Sequence, residues 1–107
     1  MKKIEAFLKE HRLDKVSLAL HRVDGVTGMT VTDARGFGRG QSSHRDPNDL
    51  HRIVRIEVFC QNHLSDAIVE TIQKAAHTGL HGDGKIYVIP VEKAVRIVSG
   101  ETGEAAV

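Results

Sequence analysis

Apolar and polar positions alternate at the start of the chain. Ile4, Ala6 and Leu8 fall on one side of an extended segment, which predicts a first strand. The period then lengthens. Leu13, Val16, Ala19, Leu20 and Val23 recur at helical spacing. Asp24 and Gly25 end that helix, with Gly25 suited to the left-handed C-terminal position. Met29 and Val31 carry a second strand, with β-branched Val26, Thr27, Thr30 and Thr32 around them. Val54, Ile56, Val58 and Cys60 alternate against Arg55, Glu57 and Phe59 and predict a third. Leu64, Ala67, Ile68, Thr71, Ile72 and Ala75 mark a second amphipathic helix, with Asn62 or Ser65 as its cap. Gly79, Gly82 and Gly84 break it into a turn. The apolar run Ile86 to Val91 reads as a buried strand, whose pairing Pro90 limits. Val95 to Val98 suggests a final short strand, and the polar residues from about 99 to 107 read as a mobile tail.

Between the second and third strands the periodicity is lost. From Gly36 to about His51 the chain is rich in Gly, Ser, Asn, Asp and Pro and poor in apolar residues. A long exposed loop is expected over about 37–52. Such loops in compact domains are usually functional, with a passive connector as the competing reading. The order strand–helix–strand, loop, strand–helix–strand predicts an α+β ferredoxin-like βαββαβ sandwich. Its four-stranded antiparallel sheet carries both helices on one face. The other face keeps apolar side chains and needs a covering surface, so a homo-oligomer is expected.

Composition narrows the function. The 107 residues form one domain, 1–107. Aromatic residues make up 4% and Trp is absent, so the core must be aliphatic. Fifteen Lys and Arg against 14 Asp and Glu leave a net charge of +1, which argues against a polybasic nucleic-acid module. No apolar run approaches the roughly 18 residues of a membrane span, and Lys2, Lys3 and Glu5 interrupt any leader-like start. Cys60, alone, has no intrachain disulfide partner and fits a reducing cytoplasm.

Two glycine-rich segments carry candidate chemistry. In GFGRG, Gly36 to Gly40, glycines let backbone N–H groups approach an anion and Arg39 adds a guanidinium fork. In TGLHGDGKI, Thr78 to Ile86, residues 79–85 match GxxxxGK. A P-loop is rejected: Ile86 stands where the magnesium-binding Ser or Thr belongs, and the turn enters a strand rather than a helix. What remains is a nest of N–H groups beside Lys85, suited to phosphate, against the plainer reading of a turn that needs glycine. Arg96, between Val95 and Ile97, is a third candidate cation or an ordinary surface charge. Convergence of Arg39, Lys85 and Arg96 on a polyphosphate is easier across a subunit boundary than within one chain.

The segments MKKIEAFLK, GVTGMTVTDARGFGR, TGLHGDGKIYVIPVEKAVRI and SGETGEAAV resemble the PII signal-transduction proteins, over nearly the whole chain outside the loop. The resemblance implies a homotrimer with its sheets facing inward and ATP or ADP in the clefts between subunits. Gly28, Met29 and Thr30 of one subunit would lie near base and ribose. Gly36, Phe37, Gly38 and Arg39, with Gly82, Asp83, Gly84 and Lys85, would come from the neighbour. Phe59 matches a strand backbone set against adenine, and Arg96 the first of two phosphate-binding arginines. The loop would dock on a target transporter or enzyme, making the protein a non-enzymatic regulator. Mg2+ is a candidate companion ion, and no resident metal site is implied.

Departures bear on the effector. Val98 replaces the second arginine, which favours fewer phosphates and brings AMP into consideration. Gly40 stands where a glutamine usually follows GFGR, with Gln41 next to it, and Ile53 replaces a lysine, with Arg52 beside it. These changes argue against 2-oxoglutarate sensing. The loop is shorter and holds no Tyr, since Tyr87 lies in a predicted strand, so control by tyrosine modification is not expected. Seven histidines, among them His44, His51, His77 and His81, keep open a metal-responsive trimer as an alternative. A slow nucleotide hydrolase is the other, with only Glu57 and Asp83 as candidate carboxylates.

Overall fold

A computed structural model describes residues 1–38 and 50–107. Strand β1 (Lys2–Leu8) leads through a 3-10 turn, Glu10–Arg12, into helix α1 (Leu13–His21). Strands β2 (Thr30–Gly36) and β3 (His51–Cys60) follow, then a second 3-10 turn, Asn62–Leu64, and helix α2 (Ser65–Ala76). Strand β4 (Gly84–Pro90) completes the sheet, and Gly103–Ala106 form a closing 3-10 turn. The sheet is antiparallel with order β2-β3-β1-β4. This is the ferredoxin-like arrangement expected from the alternation of periods.

Register assigns the two faces. Ile4 lies opposite Val58 and Val88, Ala6 opposite Ile56 and Ile86, and Leu8 opposite Val54. These side chains meet Val16 and Leu20 of α1 and Ile68, Ile72 and Ala76 of α2 in one aliphatic core. Cys60 is buried at its edge, and burial pushes its thiol pKa up, away from thiolate chemistry. The opposite face carries Phe7, Ile53, Phe59, Tyr87 and Ile89 together with Lys3, Glu5, Arg55 and Glu57. Phe7 and Tyr87 meet edge to face, 6.3 Å between centroids. Lys3 Nζ lies 2.8 Å from a carboxylate oxygen of both Glu5 and Glu57. Phe59, Tyr87 and Ile89 are exposed on this uncovered face.

Several element ends differ from the sequence pattern. Strand β2 starts at Thr30, not near Val26, and runs on to Gly36 because Asp33 to Gly36 pair with His51 to Val54. Cross-strand hydrogen bonding here holds residues that the apolar pattern assigns to no element. Met29 precedes the strand and packs against the core. Helix α1 stops at His21, ahead of Gly25, which takes the left-handed φ of +91°. Neither Asn62 nor Ser65 caps α2: Asn62 Oδ1 accepts from the Met1 amine at 2.8 Å, and Ser65 Oγ donates to the Asn62 carbonyl at 3.0 Å. At the other end of α2, Arg12 donates from Nε (3.1 Å) and Nη2 (2.7 Å) to the Ala75 carbonyl, one of the orphan acceptors of a helix terminus. Val95 makes a single bridge to Thr102 in place of a strand, since the chain doubles back between them.

Ile56 is fully buried at the centre of β3. Ile56→Ala is expected to lower unfolding free energy by about 2–5 kcal/mol, read by urea denaturation at fixed protein concentration. A loss below about 1 kcal/mol would contradict the placement of the core.

Candidate functional site

The turn between α2 and β4 is organised by Asp83. Its Oδ2 accepts the backbone N–H groups of Thr78 (2.8 Å) and Gly79 (3.0 Å). Its Oδ1 takes the Thr78 hydroxyl and faces Lys9 Nζ at 3.3 Å. The Thr78 hydroxyl oxygen accepts in turn from the Leu80 N–H at 3.1 Å. The Thr78 hydroxyl and N–H, followed by the Gly79 N–H and Lys9, hold the Asp83 carboxyl well below the usual carboxylate range. Asp83 is thereby a turn-building residue, and its charge is committed to Thr78, Gly79 and Lys9. Sequence reading passed over Thr78 and Lys9 as supports. The TxxxxD spacing from Thr78 to Asp83 is the signal that would have found Thr78, whereas Lys9 reaches the turn only through the fold.

Gly84 follows with φ +108°, a conformation that glycine tolerates best. A Cβ there would lie 1.7 Å from the Phe7 carbonyl oxygen. Gly84 pairs with Leu8 and Lys85 with Phe7, so the glycine is what lets β4 lie against β1 at this level. The GK of the GxxxxGK match thus opens a strand, as its context indicated, and Gly84 is required by strand packing whatever the turn binds.

Across the same end of the sheet, β2 ends at Gly36 and leads into Phe37 and Gly38. Gly36, Phe37, Gly38, Gly82, Asp83, Gly84 and Lys85 line one cleft of about 460 Å³, with Phe7, Leu8, Ile53 and Tyr87 as its wall and floor. The two glycine-rich segments, far apart in sequence, therefore meet. Phe37 is 81% exposed and offers an aromatic ring at the rim. Arg39, Gly40, Gln41 and His44 lie outside the described residues, as does most of the expected loop.

The remaining candidates stand apart from this cleft. Gly28 precedes β2 with open space around it. Thr30 lies opposite Glu57 on the uncovered sheet face, which also carries Phe59. Arg96 is exposed on the C-terminal bridge, its N–H donating to the Glu101 carbonyl at 2.9 Å and its carbonyl accepting from Gly100 at 2.7 Å. Val98, at the turn of that bridge, is 91% exposed. His77 Nδ1 lies 3.7 Å from Asp83, His81 is exposed, and His51 lies in β3. Among the described residues no group of three or more His, Cys, Asp or Glu could hold a metal ion. No described helix is long and apolar enough to cross a membrane.

An α+β sandwich with an uncovered sheet face and a cleft built from two glycine turns is the class of protein that fold and site define. A family model described as nitrogen regulatory protein P-II matches residues 1–101. The nitrogen regulatory protein P-II of Azospirillum brasilense is 49% identical over 114 residues and covers all of both chains. P-II 1 of Escherichia coli K12 is 43% identical over the same span, again with full coverage of both. A crystal structure of Arabidopsis thaliana PII bound to citrate superposes with a TM-score of 0.85 at 36% identity, covering 99% of this chain and 91% of that one. The chain belongs to the P-II nitrogen regulatory protein family, a family of signalling regulators.

Two outcomes follow for the turn. Gly84→Ala is expected to cost at least about 2 kcal/mol of stability, from the backbone clash with Phe7 and the strained φ. A cost under about 0.5 kcal/mol by urea denaturation would remove that argument. Because the folded pKa of Asp83 is depressed, its contribution is complete above the unfolded-chain value of about 3.9. It is lost as pH falls from there towards the folded value. Asp83→Asn is expected to be less stable than the parent at neutral pH, with the two converging under acid conditions. Parallel stability–pH curves would refute the role.

Proposed function

We propose that this protein is a cytoplasmic, non-enzymatic regulator that binds ATP or ADP in the clefts between subunits of a homotrimer. AMP is the further candidate ligand, and Mg2+ the candidate companion ion. Gly36, Phe37, Gly38, Gly82, Asp83, Gly84 and Lys85 form one wall of each site, and Arg39 is the candidate further ligand. Gly28, Met29, Thr30, Phe59 and Arg96 complete it from other surfaces of the trimer. The nucleotide state sets the loop of about 37–52, and that loop controls a target transporter or enzyme. Differential affinity of the loop states for the target carries the signal.

The observation behind this reading is the single cleft that joins Gly36–Gly38 to Gly82–Lys85. Backbone N–H groups from two turns and one free-ended lysine suit the oxygens of a phosphate chain. The uncovered sheet face, with Phe59, Tyr87 and Ile89 exposed, supplies the apolar area that a trimer would bury. Catalysis is not favoured, because the Asp83 carboxylate is occupied by its turn contacts and so is poorly placed as a general base. Binding of citrate by the Arabidopsis relative fits an anion-receptive family.

Isothermal titration calorimetry with ATP, ADP and AMP, each with and without Mg2+, tests the proposal, alongside sedimentation to fix the subunit number. Micromolar binding by a trimer is expected. Lys85→Ala should weaken it roughly 10- to 150-fold, the equivalent of about 1.5–3 kcal/mol for a lost charged hydrogen bond. No heat with any nucleotide at millimolar concentration would overturn the reading.

A further inference from the structure

We propose that His77 is a proton-dependent determinant of the glycine-turn cleft, its charged form strengthening the hold on a phosphate chain. The inference rests on the reading of that cleft as a phosphate site. His77 does not line the cleft itself. It lines an adjoining recess of about 190 Å³ that shares Asp83, Gly84 and Lys85 with the cleft. Its N–H donates to the Gln73 carbonyl at 3.1 Å, so the residue closes the C-terminal end of α2. The ring then lies against the turn. Nδ1 is 3.7 Å from an Asp83 carboxylate oxygen, and Nε2 is 3.8 Å from the position that a Cβ on Gly79 would take. That carboxylate oxygen, Oδ2, is the one that holds the Thr78 and Gly79 N–H groups.

Charge decides what this arrangement does. Among the residues lining the cleft, Asp83 carries the negative charge and Lys85 the positive one. A carboxylate there repels phosphate oxygens. Lys9 offsets it from the Oδ1 side at 3.3 Å. On the Oδ2 side stands an imidazole, a group whose charge changes between about pH 5 and 8. Asp83 stays ionised over that range, because its turn contacts hold the carboxyl well below the usual carboxylate range. A neutral His77 leaves the Oδ2 side uncompensated; an imidazolium offsets it and leaves the field of Lys85 less opposed. The groups around His77 pull both ways. Asp83 and the carbonyl end of α2 favour its cation. Lys85 in the recess, Lys9 beyond Asp83 and Arg12 on the Ala75 carbonyl oppose it. Lys74 is paired with Glu70, and His81 is exposed on the turn. A phosphate chain beside Lys85 neutralises one of the opposing cations and adds negative charge. Binding therefore draws a proton onto His77, and by reciprocity a proton on His77 tightens binding.

Calorimetric titration of the full chain with ADP at about pH 6 and about pH 8, at low salt and in two buffers of different ionisation enthalpy, tests this linkage. His77→Gln and His77→Lys are titrated beside the parent with the same ligand, so the ionisation of ADP itself cancels. Normalised to His77→Gln, the parent should bind about three- to fivefold more tightly at the lower pH than at the higher. The parent should also take up a fraction of a proton that His77→Gln does not. His77→Lys should keep the tighter binding at both pH values and take up none. Loss of affinity in both variants with an unchanged pH profile would mark a merely structural residue and overturn the proposal. Equal pH profiles and equal proton uptake in parent and His77→Gln would overturn the linkage while leaving the phosphate site standing. No binding of ADP by the parent at either pH would overturn the site and the linkage together.

Discussion

The close approach of Gly84 to the Phe7 carbonyl is the constraint on which the functional end of this molecule depends. No side chain fits between the two backbones at that point. Because a glycine is there, β4 enters the sheet in a register that puts Lys85 opposite Phe7 and Tyr87 opposite Glu5. That register brings the preceding turn over the end of β1, where Lys9 reaches Asp83 and Thr78. It also brings Gly82–Lys85 alongside Gly36–Gly38. The cleft is thus a consequence of strand pairing, and the Asp83 carboxylate then rigidifies its floor by taking up the N–H groups of Thr78 and Gly79.

The two faces of the sheet are held by different physics. On the helix side, small and branched aliphatic side chains exclude water, and the absence of Trp is met by close packing of Ile, Val, Leu and Ala. On the other side, apolar rings surround a charged centre of Lys3, Glu5, Arg55 and Glu57. These pairs are half-buried and still reach water on this open face, so each contributes little to stability. Covering that face with another copy would remove water from them and raise the cost of leaving any one unpaired.

The interior of the elements was legible in the sequence; their ends were less so. Alternation in Ile4, Ala6, Leu8 and in Val54 to Cys60 is a direct imprint of burial on one face, as is the helical spacing in α1 and α2. The ends of strand β2 were not legible because Asp33, Ala34, Arg35 and Gly36 carry no apolar alternation; their strand state comes from pairing with β3. The expected caps of α2 failed for a related reason. Asn62 is occupied by the distant Met1 amine, a contact that no local motif encodes.

For the site, the sequence by itself determined the kinds of chemistry. It supplied two glycine-rich segments that admit backbone approach and a lysine at the mouth of one of them. Residue type and local spacing carry that information, since it depends only on φ freedom and formal charge. Only the tertiary structure decided which of these residues meet. It placed Gly36–Gly38 against Gly82–Lys85, left Gly28, Thr30, Phe59 and Arg96 on other surfaces, and set Lys9 beside Asp83. Those outcomes follow from strand order and register, which hydrogen bonds between distant segments settle and no local pattern records.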